Sequence, residues 1–316
     1  MIDLSIIVPL LNEEESIKEL YSEIYSTLLT TNLSYELILI DDGSVDSSWS
    51  VIESIVLDSK NVKAIKFKKN QGKSIALDVG FSHACGNVVI TMDGDLQDDP
   101  NEIPSLYNMI IKEKYDLVSG WKKHRLDPLS KTIPTKLYNW VTKRLSGINL
   151  HDFNCGLKAY SLDLIKDIEL SGEMHRYIPL LAKHAGYVKI GEKIINHRKR
   201  SYGETKYGGW NRFSNGLLDL ISILFLHRFG KNPMHLFGLL GLFSFFIGFI
   251  IALHLTYMKL FLAQFNMTDR PLFYFGILAM IIGVQLFMTG FIAELVGRSN
   301  TERNSYIIED RLNSES

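Results

Sequence analysis

Five short apolar runs, LSIIVP, YELILID, VKAIKF, NVVITMD and YDLVSG, mark the first 120 residues, and longer mixed stretches of helical character separate them. Those stretches run from Glu13 to Leu29, Ser44 to Leu57, Gly72 to Ala84 and Asn101 to Lys112. A strand that is apolar at nearly every position has both faces buried, and strands that alternate with helices pair in parallel. The pattern predicts an α/β domain: a doubly wound, Rossmann-like, mostly parallel sheet covered on both faces.

Past residue 200 the pattern changes. Leu236 to Met258 and Pro271 to Ala293 contain no Asp, Glu, Lys or Arg. Each run exceeds the roughly 20 apolar residues that a helix needs to cross a bilayer. Two transmembrane helices, about 236–258 and 271–293, are therefore predicted within 232–297, in preference to a pair of buried core helices. Before them, GWNRFSNGLLDLISILFLHRF interleaves Trp210, Arg212 and Arg228 with apolar residues, which predicts an interfacial amphipathic helix over 209–231. Residues 1–208 remain as the α/β domain and 298–316 as a tail.

The formal net charge of −1 hides an asymmetry. Arg198, Lys199, Arg200, Lys206, Arg212, Arg228 and Lys231 precede the first span and Arg298 and Arg303 follow the second, whereas only Lys259 and Arg270 lie between. Positive charge stays on the cytoplasmic side, so a multi-pass protein with both termini in the cytoplasm is expected. No signal peptide precedes Asp3, which agrees with a cytosolic α/β domain. Cys85 and Cys155 form no CxxC or Cys/His spacing and read as packing residues. No HExxH or HxH occurs among the nine histidines, and no nucleic-acid-binding module is visible. Gly238 and Gly241 offer a small-residue surface on which copies of the chain could pair as a homo-oligomer.

Ligands of such sheets bind beyond the carboxyl ends of the strands. Those tips read PLLNEE (9–14), DDGSVD (41–46), KNQGKS (69–74) and DGDLQDD (93–99), so acidic and small polar residues gather at one edge. A P-loop would need glycine where Phe67 stands, and a dinucleotide fingerprint would need glycines that PLLNEE lacks. The fourth tip places Asp93, Asp95, Asp98 and Asp99 within seven positions, and like charges this close call for open solvent or a cation. Asp98 and Asp99 read as the start of the next helix, since Asp99-Pro100 suits a cap followed by proline. Glu14 and Glu15 read as first-turn residues of the first helix.

Taken in order, VPLLNEEE, IDDGSVD, NQGKS and MDGDLQDDP resemble the family 2 glycosyltransferases of GT-A fold. With HDFNCGLKAY, RSYGETKY and the two spans, the chain resembles the polyprenyl-phosphate, dolichol-phosphate-mannose-synthase-like branch. The resemblance implies an inverting, metal-dependent transfer of a hexose, such as glucose or mannose, from a UDP- or GDP-sugar to undecaprenyl or dolichyl phosphate. It places Pro9, Asn12, Glu13, Asp41, Lys73, Asp93, Arg200 and Lys206 on the nucleotide-sugar. Asp95 and Gln97, with Asp93 beside them, would hold Mg²⁺ or Mn²⁺. Lys122, Lys131 and Thr135 would bind the acceptor phosphate, in positions where the family often has arginine and serine. Lysine keeps the charge and loses the bidentate fork. Lys131 and Thr135 share a helical face if Pro134 sits in the first turn. Asp152 would be a general base or, because the acceptor phosphate is already ionised, a group that orients sugar or phosphate. Leu11 stands where an aromatic is common. Transfer to a glycan acceptor and a catalytically idle nucleotide-sugar scaffold are the competing readings, and the QxxRW motif of processive members is absent.

Overall fold

The computed structural model describes residues 2–123, 129–170, 172, 174–198, 233–262 and 267–299. The chain divides into two compact units, Met1–Leu220 and Ile221–Ser316.

The first unit runs β1 (Leu4–Leu10), α1 (Ile17–Leu29), β2 (Tyr35–Asp41), α2 (Ser48–Asp58), β3 (Val62–Lys66), α3 (Lys73–His83), β4 (Val88–Thr91), a 3₁₀ turn (Pro100–Glu102) and α4 (Ile103–Ile111). It continues with β5 (Leu117–Trp121), α5 (Leu129–Ser146), β6 (Lys158–Ser161), α6 (Leu162–Asp167), a second 3₁₀ turn (Met174–Arg176), α7 (Ile178–His184) and β7 (Ile190–Ile194). The strands form one seven-stranded sheet in the order β3-β2-β1-β4-β6-β5-β7. β6 is antiparallel to both neighbours, β4 and β5, and the other pairs are parallel.

Alternation along the central strands builds two cores. Ile6, Val8, Leu37, Leu39, Val88 and Ile90 join α1, α2 and α4 on one face, while Ile7, Ile38, Ile40 and Val89 join α3, α6 and α7 on the other. Each fully buried Ile or Leu contributes about 1.5–3 kcal/mol, which is why these strands read as unbroken apolar runs. Pro9 lies in a central strand, where its missing N–H would normally break a ladder. β4 stops pairing with β1 at Ile7 and Thr91, so the proline faces only β2.

Of the two cysteines expected in packing, Cys155 is buried and Cys85 is exposed. Cys85 lies at the far end of the sheet, where its N–H donates to the buried Glu36 at 2.7 Å.

In the second unit the apolar helices are Pro233–Leu262 and Pro271–Ser299. At 30 residues the first is about 45 Å long, more than the roughly 30 Å of a hydrocarbon core. Both are long and apolar enough to cross a membrane. Glycines let them touch. A Cβ on Gly241 would lie 2.6 Å from the Gly283 carbonyl oxygen, one on Gly283 equally close to that of Gly241, and one on Gly248 2.3 Å from that of Gly276. Ser244 Oγ donates across the same seam to the Ala279 carbonyl at 2.8 Å. Gly241 is thus used inside the hairpin, and Gly238 faces Met234 of its own helix and Gly290 of the other. Gly283→Leu is expected to destabilise the hairpin by about 1–3 kcal/mol or more, because backbone cannot yield to the added side chain. A lowered midpoint of thermal unfolding of the full chain in detergent would show it, with the exposed Leu278→Val as a neutral control.

Candidate active site

The parallel strands end at one edge, and β6, running the other way, begins there: Lys158 pairs with Thr91 of β4 and Ser119 of β5. The turn that carries Asp152 therefore enters the same edge as the tips of β1, β2, β3 and β4.

The first three tips are tied together by backbone and side-chain bonds. Asn12, in left-handed conformation at φ 51°, donates its N–H to Ser44 Oγ and accepts the Val45 N–H on Oδ1, both at 2.8 Å. The Glu13 N–H donates to Ser48 Oγ at 2.8 Å. Glu14, expected in the first turn of α1, precedes that helix and accepts the Ser47 N–H at the start of α2 at 2.7 Å. Asp42 accepts the N–H groups of Gln71 and Gly72 at 2.7 and 3.0 Å, which fixes the third tip to the second. Burial raises its pKa despite these bonds, and the Asp41 charge adds to the rise. Gly43 makes the tight approach: its φ is +75°, and a Cβ there would lie 2.5 Å from the Lys69 carbonyl carbon.

Asp41 is fully buried. Its Oδ1 accepts the Ser44 N–H at 2.8 Å, whereas its Oδ2 has no hydrogen-bond partner among the described residues. A buried carboxylate oxygen left without a donor costs free energy, which a hydrogen-bonding ligand would recover.

The fourth tip resolves its crowded charges with lysines from elsewhere in the chain. Lys73, first residue of α3, pairs with Asp93, and Lys122, just past β5, pairs with Asp98 at 2.8 Å. Burial would raise the Asp93 pKa, but Lys73 and Lys122 outweigh it and hold the carboxyl well below the usual range. Asp98 is fully buried and its Oδ2 accepts the Asp93 N–H at 3.3 Å. It does not start a helix, contrary to expectation. Asp99 does: it caps the 3₁₀ turn by accepting the Asn101 N–H at 3.0 Å, and it also pairs with Arg198 at 2.7 Å.

Lys122, expected at an acceptor phosphate, pairs with Asp98 and has a side chain only 11 % exposed. Burial opposes its charge, but Asp98 more than compensates and raises its pKa. Lys131 lies in α5 with its side chain outside the described residues, and Thr135 on the same helix is half-buried. Pro134 falls in the second turn of α5, not the first. Arg200 and Lys206 lie outside the described residues.

Asp95 stands apart. Its Oδ1 accepts the Gln97 N–H at 3.2 Å, across a turn in which Leu96 takes φ 61°. Burial and the charges of Asp93 and Asp98 push its pKa up to about 6. Such a carboxylate fits a hard divalent cation, whose charge would favour its ionised form. Among the described residues no group of three or more His, Cys, Asp or Glu is arranged to hold a metal. Asp95 and Gln97 would thus give part of a ligand set, as in sites where substrate phosphates complete an Mg²⁺ shell.

Asp152 is buried, with Oδ1 accepting the Asn154 N–H at 3.1 Å and its carbonyl accepting Ser119 Oγ at 3.2 Å. A few contributors were not legible in the sequence. Ser16 Oγ anchors the fourth tip by donating to the Gly94 carbonyl at 2.8 Å. Ser74 and His175 meet at 3.0 Å beside Lys73, and burial together with Lys73 and Arg176 keeps His175 neutral. Trp121 stacks on His151 at 4.1 Å next to the Asp152 turn.

This sheet, with acidic tips converging on one edge, is that of a GT-A glycosyltransferase. Glucosyl-3-phosphoglycerate synthase of Mycobacterium tuberculosis, crystallised with UDP, superposes with a TM-score of 0.54 at 19 % identity over 72 % of this chain and 80 % of that one. The model of the family described as glycosyl transferase family 2 matches residues 5–169, and the chain belongs to that family. It is 36 % identical to the dodecaprenyl-phosphate galacturonate synthase of Rhizobium johnstonii over 94 % of this chain and 88 % of the relative. It is 33 % identical to the undecaprenyl-phosphate 4-deoxy-4-formamido-L-arabinose transferase of Shewanella sediminis over 98 % and 92 %. The protein is a glycosyltransferase.

Proposed function

We propose that the protein transfers a hexose or related sugar from a UDP- or GDP-sugar to a polyprenyl phosphate at the cytoplasmic face of a membrane, with inversion at the anomeric carbon. The observation that carries this reading is the extent of the likeness to the galacturonate synthase, which at 94 % of the chain takes in most of the apolar hairpin as well as the α/β unit. A lipid acceptor accounts for why an enzyme with a water-facing site carries such a hairpin.

The residues divide the work as follows. Asp41 Oδ2 accepts a hydrogen bond from the nucleoside, and the Asn12 and Glu13 tip closes beside it. Mg²⁺ or Mn²⁺ held by Asp95 and Gln97 would offset the charge that develops on the leaving diphosphate. A crystal structure of the mycobacterial synthase contains Mn²⁺ with UDP-glucose. Lys73 and Asp93 form one ion pair at the diphosphate side of the site. An oxygen of the lipid phosphate attacks the anomeric carbon opposite the diphosphate. The bond from that carbon to the diphosphate oxygen breaks, and the nucleoside diphosphate leaves. The attacking phosphate is already ionised, so Asp152 positions rather than deprotonates it. Lys122, Lys131 and Thr135 are the candidates for holding the acceptor phosphate, and Arg200 and Lys206 those for bringing positive charge to the nucleotide-sugar diphosphate. The basic residues flanking the hairpin support a topology with both termini in the cytoplasm.

A panel of UDP- and GDP-sugars incubated with purified protein, Mg²⁺ or Mn²⁺ and undecaprenyl phosphate tests this. An organic-extractable sugar phospholipid of inverted anomeric configuration is expected from one donor. Sugar transfer only to a water-soluble glycan would overturn the acceptor assignment.

A further inference from the structure

Lys158 opens β6 and is 3 % exposed, so its ammonium has left water. Its Nζ donates to the Cys155 carbonyl, and among the described residues no ion pair joins it. A buried ammonium without a carboxylate against it is costly, and an apolar side chain of similar length would relieve that cost. Burial lowers its pKa, and the charged groups that bear on it are Lys73, Asp152 and Asp93. Two of these are the carboxylates at the centre of the site.

The turn from Asp152 to Lys158 explains what such a lysine can do. Asp152 starts the turn, and Ser119 Oγ holds its carbonyl at 3.2 Å. Gly156, midway, lies against the Asp93 carboxylate, and its carbonyl accepts Thr91 Oγ1 at 2.9 Å. Lys158 ends the turn and reaches back to Cys155 in its middle. One side chain thereby ties the strand to the loop that carries Asp152 and seats itself on Asp93.

We propose that Lys158 is a positioning residue for sugar transfer, pinning the Asp152–Lys158 turn through the Cys155 carbonyl so that Asp152 at its start and Gly156 against Asp93 are held in place. The proposal rests on the glycosyl-transfer reading above. It assigns Lys158 to the rate of the bound complex rather than to donor affinity or to folding.

Lys158→Met and Lys158→Arg test it in the full chain. With the donor that the wild type accepts, Lys158→Met is expected to lower kcat by about 100-fold or more while donor KM stays within about threefold. Its midpoint of thermal unfolding should be unchanged or higher, because the methionine buries no charge. Lys158→Arg should recover about tenfold or more of the lost kcat. A Lys158→Met protein with kcat within threefold of wild type overturns the proposal. So does a kcat loss matched by a lowered unfolding midpoint and not recovered by arginine, which is the mark of a structural role only. The same variants are measured on hydrolysis of the nucleotide-sugar, which needs no lipid. Wild-type hydrolysis without transfer to undecaprenyl phosphate would overturn the acceptor reading alone, and the hydrolysis rates would then decide the role of Lys158.

Discussion

Asp95→Asn is expected to make the protein more stable to heat at neutral pH while lowering sugar transfer by about 10²–10³-fold or more. The two effects have one cause. The folded protein raises the Asp95 pKa from 3.8 to about 6, through burial and the neighbouring Asp93 and Asp98 charges. A carboxyl whose pKa is raised on folding binds its proton more tightly in the folded state. Its contribution to stability is thus full below the unfolded pKa and is lost as pH climbs through about 6. Above that pH the ionised Asp95 is a liability, which asparagine removes. The difference in unfolding midpoint between variant and wild type should therefore grow between pH 5 and pH 7.5. Mn²⁺ with UDP should raise the wild-type midpoint at pH 7.5 and leave the variant nearly unmoved. Full transfer activity in Asp95→Asn, or an equal Mn²⁺ response in both proteins, would remove Asp95 from the metal site.

The sequence made Asp95 conspicuous because four carboxylates in one loop are hard to reconcile without a cation. It could not show which of them already had one. Lys73 is 20 residues from Asp93 and Lys122 is 24 from Asp98. They meet because α3 starts at the sheet edge where β4 ends, and β5 ends at that edge too, one strand away across β6. The motif records a residue type, while the Lys122–Asp98 ion pair depends on two strand ends that meet across β6. The fold was legible to the same degree. β1, β2 and β4 are buried on both faces, and burial on both faces leaves an apolar run. β6 is four residues with a lysine at its head, and β7 is half-exposed and polar, so neither produces that signal. Missing β6 hid the antiparallel step that brings Asp152 and Lys158 to the site. HDFNCG was recognised as a motif without a strand to place it on.

Gly156→Ala should be nearly as damaging as losing Asp95, although it adds a single methyl group. A Cβ at Gly156 would lie 2.4 Å from both Cγ and Oδ2 of Asp93. Neither partner has an easy retreat. The Asp93 carboxylate is held by Lys73, and its own N–H is fixed to Asp98. Gly156 is tethered through its carbonyl to Thr91 and lies two residues before the start of β6. Displacing Asp93 would break its pairing with Lys73 and disturb the loop that presents Asp95, so a loss of transfer of about 10²-fold is expected, since small misplacements are amplified in kcat. Overpacking of this kind also costs about 1–3 kcal/mol of stability. A double-mutant cycle separates the two sites of damage. If the clash is with the Asp93 carboxylate, Gly156→Ala should cost far less stability in an Asp93→Ala background than in the wild type. Equal costs in the two backgrounds would mean that the glycine serves the turn backbone itself and that the close approach to Asp93 is incidental.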